Sequence, residues 1–155
     1  MDEEKHKAFM RRAIVMGRKS GIEDQAGGPF GALIVRDGEI VGEGWSRVYV
    51  EHDATWHSEV AAIRDACRRL KTHDLSGCVM YAAGEPCEMC SGAAQRARLS
   101  RIYYAGARAD TLEFGYAGSG GRLRPSVPVP KEQLLREEMR EVWKEFQAKI
   151  GDVRY

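Results

Sequence analysis

Two short motifs carry the residues that could do chemistry. His57-Ser58-Glu59 offers an imidazole and a carboxylate, and Pro86-Cys87-Glu88-Met89-Cys90 offers two thiols. Zinc takes Cys sulfur and His nitrogen tetrahedrally, and a catalytic site leaves the fourth position to water. His57, Cys87 and Cys90 as ligands, with Glu59 close by and not ligating, would make hydroxide at neutral pH and move its protons.

The elements that must position these groups follow from the spacing. Cys87 and Cys90 are three apart and would share a helix face. Pro86 suits a helix opening, where its missing N–H costs nothing. The positive end of a helix lowers a thiol pKa and favours the thiolate that zinc needs. His57 also falls at a predicted helix start. On a regular helix, His57 and Glu59 would point about 200° apart at 3.6 residues per turn. They can converge only in a first turn, with Glu59 facing the cavity as a proton shuttle.

Other readings of the cysteines are weaker. A structural zinc site needs four protein ligands. The sequence has no second C-x-x-C and no H-x-x-x-H, and His6, His52 and His73 stand isolated. Cys67 and Cys78 lie among apolar residues and read as small buried hydrophobes. A redox C-x-x-C fits poorly with the paired His57 and Glu59.

Along the chain, Phe9, Ala13, Ile14 and Met16 mark a first helix over about 5–19. Residues 30–35 and 39–45 flank Asp37-Gly38, a hairpin signal. A second helix over 57–70 presents Val60, Ile63, Cys67 and Leu70 on one face. A strand over 79–83, a helix over 87–98, a strand over 102–105 and a short helix over 110–114 follow. Residues 115–130 read as a Gly- and Pro-rich loop, with a short strand around Val127. Leu135, Met139, Val142, Trp143, Phe146 and Ile150 recur at helical spacing in a last helix. The alternation argues one three-layer α/β domain over residues 1–155, with parallel strand pairs after the hairpin.

Composition sets outer limits. The 155 residues carry a net charge of +1, which favours no polyanionic partner. Arg96, Arg98, Arg101 and Arg108 cluster in sequence and read as a solvated face. No apolar run approaches the length of a membrane span. The charged N-terminus lacks an apolar signal segment, so a cytoplasmic protein is expected.

Taken together, Gly28-Pro29-Phe30-Gly31-Ala32, Gly42-Glu43-Gly44-Trp45, the stretch from His57 to Arg64 and that from Glu85 to Ala93 resemble the cytidine-deaminase-like superfamily. The resemblance spans nearly the whole chain. It is nearest to the small bacterial guanine deaminases, with tRNA adenosine and fungal cytosine deaminases also similar. It implies an α/β/α fold with a mixed five-stranded sheet flanked by helices, a zinc cofactor and a homodimer. It further implies a C-terminal helix, about 131–150, exchanged between subunits so that Tyr155 reaches the partner's pocket.

By the same resemblance, His57, Cys87 and Cys90 bind zinc and Glu59 shuttles protons. Phe30 would stack on the base, or else serve as a core residue. Tyr155 would line the pocket, or fray as termini do. The implied reaction is hydrolytic deamination of a free nucleobase, guanine to xanthine foremost. Cytosine, isocytosine, 5-azacytosine and ammeline are the alternative rings, and a tRNA adenosine deaminase or a non-catalytic zinc module the more distant readings.

Departures from the family pattern concern the substrate. Ser46 stands where an Asn commonly holds the base, and a hydroxyl cannot offer the paired donor and acceptor of an amide. Ala117-Gly118 replaces an acidic pair, with Asp110 and Glu113 the nearest carboxylates, and Arg96 replaces an aromatic. Trp56, before the metal His, occupies a usually small position and joins the expected substrate contacts.

Overall fold

The computed structural model describes residues 2–114, 130 and 132–152. The chain divides into two compact units, Met1–Arg124 and Pro125–Tyr155. The first holds α1 (Glu3–Arg18), β1 (Gly31–Arg36), β2 (Glu39–Trp45), α2 (Ser58–Leu70), β3 (Val79–Gly84), α3 (Glu88–Arg96), β4 (Arg101–Gly106) and α4 (Arg108–Glu113). The second holds α5 (Arg136–Lys149).

Local chemistry accounts for the element boundaries. Asp2 caps α1 by accepting from the Lys5 amide at 2.9 Å. A π-helical turn, Lys19–Glu23, prolongs that helix. Asp37 and Gly38 both have positive φ, 51° and 80°, as the tight hairpin between β1 and β2 requires.

The strand order is β2-β1-β3-β4. Among the described residues the sheet therefore has four strands and not five, and the strand expected around Val127 lies outside them. The expectation of parallel pairing after the hairpin also needs correction. β1 runs antiparallel to both β2 and β3, and among the described residues β3–β4 is the one parallel neighbour pair. Because β2 and β3 both oppose β1, they run the same way without touching, and α2 crosses between them.

Period-two alternation divides the core between the two sheet faces. Leu33, Val35 and Tyr81 meet Ala13 of α1 on one face. Ala32, Ile34, Met80 and Ala82 meet Ala62, Ile63 and Ala66 of α2 and Ala94 of α3 on the other. This is the expected three-layer arrangement. Cys78 is buried in the second cluster and Cys67 packs against it, as small hydrophobes. His6 is not isolated: its Nδ1 lies 2.7 Å from the hydroxyl of fully buried Tyr81, and its ring packs on Tyr103 at 4.7 Å.

The buried face of α2 includes the expected Ile63, and the expected Cys67 and Leu70 pack against the core beside it, but smaller residues make up most of the fully buried strip. That strip consists of Ser58, Glu59, Ala62, Ile63 and Ala66, with Val60 and Cys67 only partly covered. The reason is close backbone approach. A methyl group at Gly44 would overlap the Ala62 amide nitrogen and the Ser58 carbonyl oxygen, and one at Gly42 would lie 2.6 Å from the Ala62 carbonyl oxygen. Small residues on α2 thus seat directly on glycines of β2, which fixes the start of the helix. Gly44→Ala is expected to destabilise by about 1–3 kcal/mol, the usual range for overpacking. Thermal unfolding should show a fall of about 2–4 °C per kcal/mol for a chain of this size; an unchanged midpoint would count against this seating.

Candidate active site

One end of the sheet gathers the functional side chains. There β1 begins at Gly31, opposite the end of β2, and β3 and β4 both end. Sites in α/β sheets form beyond strand carboxyl ends in this way. The loop from β2 leads to α2, the loop from β3 to α3, and Arg108 opens α4 directly after β4.

His57 is the N-cap of α2 and Cys87 the N-cap of α3, both with extended backbone. Neither side chain caps its own helix. They turn instead toward each other, and Cys90, one turn into α3, joins them. His57 Nδ1 lies 3.5 Å from Cys87 Sγ and 3.5 Å from Cys90 Sγ. All three donor atoms fall within 4.8 Å of one another.

Those distances suit a metal. Ligand bonds of about 2.3 Å to sulfur and 2.05 Å to nitrogen, at tetrahedral angles, give an N–S edge of about 3.6 Å. Ser58 Oγ, beside His57, is a buried side-chain oxygen with no hydrogen-bond partner among the described residues. The site thus holds polar capacity that the chain itself leaves unused.

Proton sharing within the trio shows the demand for positive charge. The Cys87 thiol is lowered to about 3 by hydrogen bonds from Cys90 and His57, against the effect of burial. Cys90 is pushed up, by its bond to Cys87 and then by burial. His57 is raised, chiefly by its bond to Cys87. Bound to His57, Cys87 and Cys90, a metal cation would supply the positive charge that favours both sulfurs as thiolates.

Glu59 sits in the first turn of α2 and is 5% exposed. Burial raises its pKa above the ordinary carboxylate value, outweighing its bond with Cys90. The extended conformation of His57, with φ −80° and ψ 152°, removes the 200° divergence expected on a regular helix. His57 and Glu59 accordingly line the same cavity.

That cavity, of about 320 Å³, is also lined by Phe30, Ser46, Val48, Tyr49, Glu85, Arg108 and Thr111. Methyl groups on Gly28 and Gly84 would lie 2.7 Å and 3.0 Å from the Phe30 ring, so two glycines make room for it. Ser46 is buried, and its Oγ accepts from the Gly28 amide at 3.2 Å, leaving the hydroxyl proton to donate elsewhere.

Of the expected substrate contacts, Phe30 and Ser46 line this cavity with His57 and Cys87, and Trp56 does not. Trp56 lines a separate cavity with Trp45, Arg68 and Arg69. In the extended chain at His57, neighbouring side chains point to opposite sides, so the residue before the ligand faces away. Tyr155 lies outside the described residues. Asp110 accepts from the Ala107 amide at 2.8 Å, and neither it nor Glu113 lines the cavity.

The sequence reading missed Glu85 and Arg108. Arg96, Arg98 and Arg101 are exposed, but Arg108 is half-buried and lines the cavity. The signal that could have found both is their position, each just past a strand end on the side where β3 and β4 both stop.

A two-cysteine, one-histidine metal site with a buried carboxylate, at the strand ends of an α/β/α fold, defines a zinc hydrolase of the deaminase class. The chain belongs to the family described as the cytidine and deoxycytidylate deaminase zinc-binding region, which matches residues 3–106. It is 42% identical to the guanine deaminase of Bacillus subtilis (strain 168) over 114 residues, 74% of this chain and 72% of the relative. The X-ray structure of the Bacillus subtilis guanine deaminase superposes with a TM-score of 0.83 and 33% identity, covering 100% of this chain and 99% of that one. The tRNA-specific adenosine deaminase of Agrobacterium fabrum (strain C58) is 39% identical over 143 residues, 89% of this chain and 91% of the relative. No helix among the described residues is long and apolar enough to cross a membrane.

Proposed function

We propose that this protein hydrolyses the amino group from a free nucleobase, with guanine to xanthine as the reaction. The observation that carries the reading is Glu59, a buried carboxyl with a raised pKa in the same small cavity as His57 and Cys87. The likeness to the Bacillus subtilis guanine deaminase supports the choice of base.

Zinc bound by His57, Cys87 and Cys90 would supply the Lewis acid that makes hydroxide available near neutral pH. The chain does the rest. Glu59 takes a proton from the attacking water, passes it to the ring nitrogen beside the reacting carbon, and carries the second proton to the departing amine. A C–O bond forms as the C–N bond breaks, and ammonia and the oxo base leave. Phe30 offers an aromatic face for the ring. Ser46 offers its hydroxyl proton to a ring acceptor. Val48 adds apolar lining beside Phe30.

The Agrobacterium relative favours a second reading, deamination of adenosine in tRNA. The net charge of +1 weighs against it, because phosphate recognition draws on an excess of Lys and Arg. A homodimer acting in the cytoplasm belongs to the first reading. In support of the dimer, α5 carries Val142, Trp143 and Phe146 as an exposed apolar stripe.

Ammonia release should be measured on guanine, cytosine, isocytosine, 5-azacytosine, ammeline, adenine and their nucleosides, with tRNA alongside. Guanine is expected to give the highest kcat/KM. Silence on every free base by zinc-loaded protein would reject the reading, and turnover of tRNA alone would establish the second. Sedimentation of the same sample is expected to show a dimer; a monomer would remove that part.

A further inference from the structure

We infer that Arg108 determines specificity, by reading two in-plane acceptors on the edge of an oxopurine; this rests on the nucleobase reading above. Arg108 is the only Lys or Arg among the described residues that line the metal cavity. A guanidinium is planar, always charged, and presents donors in a fixed fork. The edge it matches is an oxo oxygen beside an unprotonated ring nitrogen, the pair that guanine presents at O6 and N7. In guanine this edge lies across the ring system from the amino carbon at C2. A ring placed with C2 toward Glu59 and the metal ligands therefore turns its acceptor edge away from them.

The backbone of Arg108 is held at both ends. Its amide donates to Glu85 Oε1 at 3.2 Å, and its carbonyl accepts from Thr111 Oγ1 at 2.7 Å. Glu85 immediately precedes Pro86 and Cys87, so the first of these bonds ties the start of α4 to the loop that carries a metal ligand. The Arg108 main chain is thereby registered against the reacting centre. Ser46 leaves a recognition task open, because its hydroxyl already accepts from Gly28 and offers a single donor. A paired donor for the ring must come from another residue, and the guanidinium at this cavity is one.

The test compares wild type, Arg108→Ala and Arg108→Lys on two purines. Guanine carries the oxo group; 2-aminopurine keeps the reacting amino carbon and lacks it. 2-Aminopurine is followed as a substrate or, through its inhibition constant, as a competitor. Arg108→Ala is expected to lower kcat/KM for guanine about five- to 150-fold, the range for one bidentate contact. Its effect on 2-aminopurine, which keeps the ring-nitrogen acceptor and lacks the oxo one, should be clearly smaller than on guanine, and Arg108→Lys should recover part of the guanine loss because it keeps the charge but not the fork.

Zinc content and circular dichroism check folding, and Arg108→Gln replaces the alanine variant if that one fails them. Equal losses on both purines, or no loss on guanine, would overturn the inference. So would a wild type that turns over nucleoside monophosphates and loses that activity in Arg108→Ala. Guanine turnover untouched by Arg108→Ala sinks this inference alone, whereas no turnover of any free base by the wild type sinks the parent reading with it.

Discussion

Glu59→Gln is expected to leave zinc content and fold intact while lowering kcat by at least about a hundred- to ten-thousand-fold, the range for one positioned acid–base group. The substitution preserves size and removes the only chemistry at issue, since an amide neither takes nor returns a proton. The site is built to keep that proton in play. Glu59 is buried, its pKa is raised by that burial, and it lines the cavity with His57 and Cys87. Its backbone position is set by α2 packing on Gly42 and Gly44, which the substitution does not touch. Steady-state kinetics with metal analysis decides the matter: turnover near the wild-type rate, with zinc present, would remove Glu59 from the reaction.

Cys87→Ala should have the largest effect on stability. It removes one of three donors, so zinc stoichiometry should fall well below one per chain. A ligand at a thousandfold excess over its Kd stabilises a fold by about 4 kcal/mol. At roughly 2–4 °C per kcal/mol for a chain of this size, the midpoint should drop by about 8–16 °C relative to zinc-loaded wild type. Chelator-treated wild type should drop similarly, and adding zinc should restore it alone. A Cys87→Ala protein that keeps zinc and its melting point would show that another residue completes the site.

The metal trio was legible in the sequence because its information is local. His57 and Glu59 are two apart and Cys87 and Cys90 three apart, and a helix start gives such spacings a definite geometry. The layers were legible for a similar reason, since strand alternation and helical periodicity need only neighbouring residues. What could not be read depends on contacts between distant segments. Arg108 looks like one of four arginines until β4 is laid parallel to β3 and its end falls beside the ligand loop. Trp56 looks like a pocket residue until the backbone at His57 is known to be extended. The face of α2 was assigned from Val60, Ile63, Cys67 and Leu70, because large apolar residues draw attention, and of these Ile63 is buried. Its buried strip is instead led by Ala62 and Ala66, chosen for closeness to glycine and not for bulk. The pairing of β1 with β3 is likewise a fact of topology, with no trace in either strand's own residues.

His57 and Cys87 are 30 residues apart in the chain and 3.5 Å apart at the metal donors. In an unfolded chain, bringing them together would cost loop-closure entropy of about 3.6 kcal/mol by the relation used for cross-links of that length. The folded chain meets that cost beforehand through sheet pairing and the seating of α2. Preorganisation alone therefore makes the native site roughly 500-fold tighter for its metal than the same two ligands on a random coil. Metal affinity in this protein is in that sense a property of β3 and of the two helices beside it, as much as of the sulfur and nitrogen atoms that touch the ion.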